Sequence, residues 1–334
     1  MQCPNCGRHT HEKSVVCDYC GQQIEQQKRG IRKHFIAIFL IAVVALSLFH
    51  FLRYDTERAD KLVRAATIEM ERGNGKLQEV ESTLHTLREV KFDAPDSIPR
   101  EKTYAFQSRE SISHVLPHLD ESMVFFERAE ELLKRTDSFD LPARYQQYVA
   151  TEMEVVQRYK EYVTALRTLC DNLLLYYEFA EHYCSGEHSM TSIMKDMDRG
   201  NDNLERGDYD FAAAAYELCL HQLQIAQEEY THASKAIDFS YITDLISNLT
   251  HLERALHDLS EAAHQMDQEK MDLASLLAEL GAEEGQLIVR MDRLQLKTQI
   301  AEWYALHVTD IMKKIDALKA EIETLQEEAE AAWR

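Results

Sequence analysis

Residues 301–332 read AEWYALHVTDIMKKIDALKAEIETLQEEAEAA, a stretch without Gly or Pro in which apolar residues return every seven positions. One set of apolar or small residues occupies the first heptad position, and a second set lies three residues later. The first set is Ala301, Val308, Ile315, Ile322 and Ala329, and the second is Tyr304, Ile311, Leu318, Leu325 and Ala332. This spacing predicts a helix with one continuous apolar stripe.

The stripe has two interpretations. β-Branched residues in the first set with Leu in the second favour a parallel two-stranded coiled coil, which would make the chain a homodimer through 301–332. That dimer would set Lys314 of one copy near Lys319 of the other, an unfavourable pair. The other interpretation, which we favour, is that the stripe packs on helices of its own chain.

The rest of residues 53–334 shows helical periodicity, and no long stretch alternates with the period of a strand. Ten Gly and five Pro among 334 residues argue against most all-β folds, which need many tight turns. We therefore predict an all-α fold of long antiparallel helical hairpins. The predicted helices cover 143–183, 189–206, 209–236 and 241–280, and the predicted breaks or kinks lie at 72–75, 93–99, Pro117, 138–142, 184–186 and 281–285.

One predicted hairpin carries a recognisable pattern of small and aromatic residues. The pattern consists of Gly200-Asn201, Gly207-Asp208-Tyr209, Ala212 and Tyr216. Over 192–226 it resembles a single tetratricopeptide repeat, which implies two closely packed helices joined at Gly207 and a role in protein interaction. Arg199 and Asn203 depart from the family pattern, and no second copy is present, although stable arrays need about three repeats.

An apolar segment precedes the helical region. Residues 35–52, FIAIFLIAVVALSLFHFL, contain no Asp, Glu, Lys or Arg. As a helix they would extend about 27 Å, close to the thickness of a bilayer's hydrocarbon core. We predict a single transmembrane helix that acts as an uncleaved signal anchor, since the run begins too far from the N-terminus for a typical cleaved signal peptide. A buried core helix is the alternative.

The orientation of this helix follows from its flanks. Four basic residues lie on each side of the run, so their count does not decide the topology; on the N-terminal side they fall within the linker 23–34 and are Lys28, Arg29, Arg32 and Lys33. The N-terminal cluster is the denser one, and cysteine thiolates survive best in a reducing compartment. We predict a cytosolic N-terminus with residues 53–334 outside the cytoplasm, and the reverse topology stays open.

Two Cys-x-x-Cys-Gly pairs open the chain, as CPNCG and CDYCG. Their cysteines are Cys3, Cys6, Cys17 and Cys20. Four thiolates are a preferred ligand set for Zn²⁺, and a two-residue gap lets one turn present two sulfurs to one ion. We predict one structural zinc ion at this site, with a pair of disulfides as the alternative.

These residues resemble the short zinc ribbons at the N-termini of many bacterial and archaeal proteins, and with the apolar segment they resemble prokaryotic single-pass zinc-ribbon membrane proteins. The resemblance covers 1–22 and the membrane helix, and it implies no particular activity. Four thiolates leave no coordination position for substrate, so we expect no catalysis at the metal. His9 and His11 are expected to be surface residues. We do not favour nucleic acid as a partner, because few aromatic side chains accompany the basic ones.

Other residues capable of chemistry are better explained as structural. Glu181, His182, Cys184, Glu187 and His188 cluster at a predicted turn, where a solvated helix end is the simpler explanation. His114 and His118 have the i, i+4 spacing of a helix face, but Pro117 disturbs the helix between them; His257 and His264, one heptad apart, are expected to line a surface edge. Cys170, Cys184 and Cys219 are an odd set, and Cys170 cannot reach Cys184 along one helix. No Gly-rich phosphate loop, G-x-S-x-G or H-E-x-x-H motif occurs, so we do not expect an enzyme.

Charge divides the chain. Residues 1–52 hold six Lys/Arg and three Asp/Glu, net +3, whereas residues 53–334 hold 31 and 55, net −24. The sequence thus predicts a membrane-anchored helical scaffold or interaction protein that tethers or senses partners at the cell envelope. The alternative is a membrane-bound regulator whose ribbon binds a cytosolic protein or nucleic acid under control of the helical domain.

Overall fold

The computed structural model describes residues 2–3, 5–11, 16–23, 29–92, 97–265, 278, 281–282 and 293–333; for 29–41, 45–54 and 293–294 only the backbone is described. Helices dominate the described residues, which contain no β-strand beyond two isolated bridges. The helices are α1 (Arg29–His85), α2 (Ile98–Lys134), α3 (Ala143–Arg206), α4 (Tyr209–Ala236), α5 (Ser240–Gln265), α6 (Arg293–Tyr304) and α7 (Asp310–Trp333). The predicted all-α class is confirmed.

The chain forms two compact units. The amino-terminal unit comprises Met1–Lys61 and Asp137–Ala143, and the bundle unit comprises Leu62–Thr136 and Arg144–Arg334. Within the amino-terminal unit, the Arg58 guanidinium lies 5.2 Å from the centroid of the Phe139 ring. This contact joins the segment 137–143 to the helical residues before Lys61.

Four antiparallel helical segments form the first part of the bundle unit. Glu79 of α1 faces His118 of α2, and Glu130 of α2 faces Lys160 of α3. The end of α7 returns along the start of α3, where the Trp333 and Tyr145 rings lie 5.7 Å apart. In each interface a second pair runs in the reverse residue order, which gives the up-down-up-down order of a four-helix bundle with α7 as the fourth helix; the second pairs are Glu69–Arg128, Asp120–Arg167 and Arg158–Glu321.

The second part of the bundle unit uses the other half of α3. With 64 residues, α3 is about 95 Å long and extends beyond the four-helix bundle. Its C-terminal half packs antiparallel to α4, and α4 packs antiparallel to α5 through Gln227 and Glu253, whose side chains are 3.3 Å apart. The hairpin between α3 and α4 turns at Gly207, which has a φ of 79°. The helical hairpin predicted over 192–226 is therefore present.

Three predicted breaks or kinks fall inside continuous helices. Residues 184–186 were expected to form a turn, but α3 continues through them, and Gly186 lets the Tyr230 ring pack directly on the helix. Residues 72–75 were expected to form a kink, but α1 is continuous there and Gly73 packs against Phe126. Helix α2 also continues through Pro117. The two glycines serve close packing rather than chain reversal.

Other predicted helix ends agree with the structure only in part. Helix α5 ends at Gln265, well before the predicted end at 280, and 266–277 lie outside the described residues. Of the break predicted at 281–285, residues 281–282 are helical and 283–285 are not described. Helix α2 begins at Ile98, inside the segment predicted as a loop, with Pro in its first turn, a position that lacks an intrahelical N–H partner anyway.

The C-terminal stripe is buried in its own chain, as the intramolecular interpretation predicts. Val308, Ile315, Leu318, Ile322 and Ala329 are each at most 8% exposed. The predicted start of the stripe at Ala301 was wrong, because a π-helical turn at Ala305–Thr309 adds one residue to the repeat. Ile300 and Val308 are therefore buried eight positions apart, and Ala301 is exposed. A homodimer through 301–332 stays a prediction.

Candidate metal centre

Two short turns place the four N-terminal cysteines. Gly7 and Gly21 have φ values of 70° and 67°, a region that residues with a Cβ rarely adopt. Each glycine N–H donates to the carbonyl of the first cysteine in its motif, Cys3 or Cys17, at 2.9 Å. The glycine that follows each pair is thus required by the turn.

The two turns are copies of one another, offset by 14 residues. The Cys3 N–H donates to the Arg8 carbonyl at 3.0 Å, and the Cys17 N–H donates to the Gln22 carbonyl at 2.8 Å. Antiparallel bridges close both turns, between Gln2 and His9 and between Val16 and Gln23. Each half therefore offers its two sulfurs in the same local geometry.

All four sulfur atoms lie within 4.8 Å of one another. The Sγ atoms of Cys3 and Cys20 are 3.7 Å apart, and those of Cys6 and Cys17 are also 3.7 Å apart. A disulfide requires about 2.05 Å, so these pairs are free thiols. In a tetrahedron with metal–sulfur bonds of about 2.3 Å, sulfurs are about 3.8 Å apart. The four cysteines could hold one metal ion.

The cluster has a covered side and an open side. Cys3 and Cys17 are 2% and 1% exposed, whereas Cys6 and Cys20 are exposed. On the open side the Asn5 amide donates to the Cys20 sulfur at 3.8 Å. The first cysteine of each pair thus forms the small core of the ribbon, and the second faces solvent.

Backbone hydrogen bonds prepare one thiol for ionisation. The N–H groups of Cys6 and Asn5 lower the pKa of Cys3 to about 7, because they stabilise its thiolate. Metal ligation by cysteine requires the thiolate, so metal binding at this cluster releases protons and strengthens with pH.

The predicted surface histidines are outside the ligand set. His9 lies in the bridge to Gln2, and both His9 and His11 are exposed. Among the described residues, only Cys3, Cys6, Cys17 and Cys20 bring three or more His, Cys, Asp or Glu ligand atoms close enough for a metal ion.

The structure separates the second predicted cluster into individual contacts. His182 Nδ1 lies 2.7 Å from Glu229 on α4, Glu181 pairs with Arg109 at 3.2 Å, and Glu187 accepts a 3.0 Å hydrogen bond from the Tyr230 hydroxyl. Cys184 is buried and His188 is exposed. These side chains join neighbouring helices, and they lie inside α3 rather than at the predicted helix end.

The other predicted residues are also structural. His118 faces Glu79 at 2.8 Å, with the His114 ring 6.4 Å away, and His264 faces Glu217 at 3.2 Å. Cys170, Cys184 and Cys219 are buried free thiols. Burial raises the pKa of each to about 12, so they have little thiolate character.

Sequence reasoning missed one polar group that fastens the connection after α1. Arg88 donates to both carboxylate oxygens of Glu101, at 2.8 and 3.0 Å, and lies over the Tyr104 ring. The Tyr177 hydroxyl donates to the Arg88 carbonyl at 2.8 Å. Residue types alone give no signal for such a group, because its members are brought together from two helices and the connection after α1.

No helix among the described residues is both long and apolar enough to cross a bilayer. Most of the predicted membrane segment lies outside the described side chains, since only residues 42–44 of 35–52 are described in full. The backbone of 35–52 belongs to α1.

No protein-family model matches this chain, and no curated protein or solved structure is significantly similar to it.

Proposed function

We propose that the protein is a single-pass, membrane-anchored helical scaffold that tethers or senses partners at the cell envelope and carries a structural zinc ribbon. The observation that carries the proposal is the closed set of four thiols in residues 3–20, followed along the chain by an apolar segment and a large helical bundle. In this account the ribbon and the bundle have no catalytic role.

Zinc suits the metal centre best. Soft thiolate ligands in a tetrahedron favour Zn²⁺ over the hard cations Mg²⁺ and Ca²⁺. Four protein ligands close the coordination shell, so the ion would stabilise a segment too short to have a hydrophobic core of its own. The ion would be structural.

The apolar sequence of 35–52 supports the anchor. This run of 18 residues carries no Asp, Glu, Lys or Arg, and basic residues stand on both of its flanks. Lipid would cover the run, and the dense basic cluster in 23–34 would lie at the anionic inner surface. The ribbon would then be cytosolic and the acidic bundle extracytoplasmic.

The bundle supports a scaffold role. Its long helices bury an aromatic core in which Tyr176, Tyr177 and Phe179 are fully covered. The same helices present exposed apolar side chains, of which Phe211 at the start of α4 is 71% exposed. A rigid surface that carries isolated aromatic groups suits protein interaction.

A regulatory role is the second candidate, favoured by one feature of the ribbon. The Arg8 guanidinium lies 5.1 Å from the centroid of the Tyr19 ring, and Tyr19 is 62% exposed. Aromatic and arginine side chains are enriched at protein interfaces. In this account the ribbon would bind a cytosolic protein, and nucleic acid stays the less favoured partner.

Photo-crosslinking in intact membranes distinguishes the two roles. Benzoylphenylalanine would replace Phe211 or Tyr19, both exposed aromatic residues, in otherwise unchanged protein; Tyr209, which is 37% exposed, provides a less exposed comparison beside Phe211. The scaffold role predicts crosslinks to protein from position 211, and the regulator predicts them from position 19. Protein that leaves the membrane with a carbonate wash and crosslinks from neither position would contradict both roles.

A further inference from the structure

A cavity of about 120 Å³ lies between α1, α3 and α7 in the bundle unit. Its inner wall is apolar and consists of Leu84, Leu166, Leu169 and Ile315. Leu166 and Leu169 are 2% and 4% exposed, so the wall belongs to the bundle core. Met312 lines the same cavity but is 49% exposed, which places it at the mouth.

The cavity lies just after the irregular turn that precedes α7. The π-helical turn ends at Thr309, and Met312 is the first residue of α7 to line the cavity. The Asn172 amide of α3 holds this turn by donating to the His307 carbonyl at 2.7 Å. A cavity of about 150 Å³ with a similar apolar lining can bind benzene, so this one has room for a single small ring.

The polar groups around the cavity are not equivalent. Glu81 accepts a hydrogen bond from the Tyr162 hydroxyl through one oxygen and pairs with Lys319 at 3.2 Å through the other. Burial raises the pKa of Tyr162 well above its usual value, so the phenol keeps its proton and remains a donor. The charge of Glu81 is thereby compensated inside the protein.

Asp316 is the second carboxylate that lines the cavity. It lines the cavity one helical turn from Met312, and its side chain is exposed. The described residues provide it with no hydrogen bond or ion pair. With Glu81 and Lys319 compensating one another, Asp316 is the one carboxylate of the lining without a counter-charge, and the remaining polar residue of the lining, His85, is exposed.

We propose that this cavity binds a small amphipathic monoamine, with its apolar group against Leu166 and Leu169 and its ammonium group on Asp316. The size of the cavity limits the apolar group to about one ring or a short branched chain. The charge selects a cation over an anion. This site does not depend on the zinc ribbon or the membrane anchor, and it would give the bundle a chemical signal to sense.

The probe is 4-fluorobenzylamine, followed by fluorine NMR against the purified full-length chain in lipid nanodiscs, with empty nanodiscs as the blank. We expect saturable binding with a Kd on the order of 1 mM, as befits a ligand of nine heavy atoms. The anion 4-fluorobenzoate, of similar size, should not bind at the same concentration.

Three variants test the geometry. Met312→Trp should close the mouth and abolish binding, whereas Leu306→Trp, at a 63% exposed position outside the lining, should leave it unchanged. Asp316→Asn should weaken binding roughly threefold, as expected for one exposed ion pair. Thermal melts confirm that each variant is folded. Absence of saturable binding, wild-type binding by Met312→Trp or Asp316→Asn, or equal binding of the benzoate would overturn the proposal.

Discussion

Gly200 of α3 lies directly against the Tyr216 ring of α4. A Cβ atom added at Gly200 would be 2.7 Å from Cε1 of Tyr216, closer than a carbon contact allows. The Tyr216 hydroxyl donates to Asn201 at 2.7 Å, so the ring is held in place and has little freedom to move aside. Gly186 and Tyr230 repeat this relationship 14 residues away in each helix. Glycine thus sets the distance between α3 and α4.

We expect Gly200→Ala to destabilise the protein by about 1–3 kcal/mol, because overpacking must displace a fixed ring. Gly75→Ala is the matched control. Gly75 also lies inside a helix, but no atom is within 4 Å of its added Cβ, so alanine should stabilise by about 0.5–1 kcal/mol. Urea unfolding of the full chain measures both. A neutral or stabilising Gly200→Ala would mean that the two helices are further apart than described.

The acid stability of the bundle should depend on Glu130. Lys134 and Lys160 hydrogen-bond its carboxylate and hold its pKa at about 2, with Lys160 at 2.8 Å. A folded pKa below the unfolded value of about 4.3 means that the carboxylate contributes stability above about pH 4.3, which is lost as the pH falls towards 2.

We therefore expect Glu130→Gln to lower the Tm at pH 7, with a difference from wild type that shrinks below about pH 4.3 and nearly vanishes at about pH 2. The control is Glu323→Gln, at an exposed residue of α7, which should change the Tm little at either pH. A constant difference between Glu130→Gln and wild type from pH 7 to pH 2 would refute the ionic contribution of Glu130.

Leu318→Asp tests where the C-terminal stripe packs. Leu318 is 6% exposed in the chain's own bundle, so a carboxylate there should destabilise the full chain by several kcal/mol and leave its mass unchanged. Leu306→Asp, at a 63% exposed position, should be neutral. Urea denaturation measures the stability of each variant, and light scattering measures its mass in solution. If Leu318→Asp converts a dimer into a monomer of unchanged stability, the stripe is intermolecular.

The metal centre predicts one equivalent of zinc in protein purified without chelators. Cys17→Ser should weaken zinc binding strongly, because it removes one of the four ligands. Cys170→Ser changes another buried cysteine and should leave the zinc content unchanged. Elemental analysis of both variants, with the bundle's helical signal as the folding control, measures this. Full zinc retention by Cys17→Ser would exclude the four-thiolate site.

Local patterns in the sequence predict local structure here. The spacing of Cys3 and Cys6 and the glycine after them determine the metal-binding turn, and Gly207 marks a true hairpin. The same residue type misleads at Gly186, because its role depends on Tyr230, 44 residues later. The heptad start at Ala301 was wrong for a related reason, since the π-helical turn adds a residue that periodicity cannot reveal. Arg88 and Glu101 meet only after α1 and α2 have packed.

In the proposed topology, one membrane segment separates the ribbon from the bundle. Its most direct test is protease protection in intact cells, or in protoplasts where a wall intervenes, with one epitope tag before residue 1 and another after residue 334. We expect digestion of the C-terminal tag and protection of the N-terminal tag, with both digested after detergent is added. Protection of both tags in intact cells would contradict it, and a cleaved N-terminal tag beside a protected C-terminal one would invert the topology and move the acidic bundle into the cytosol.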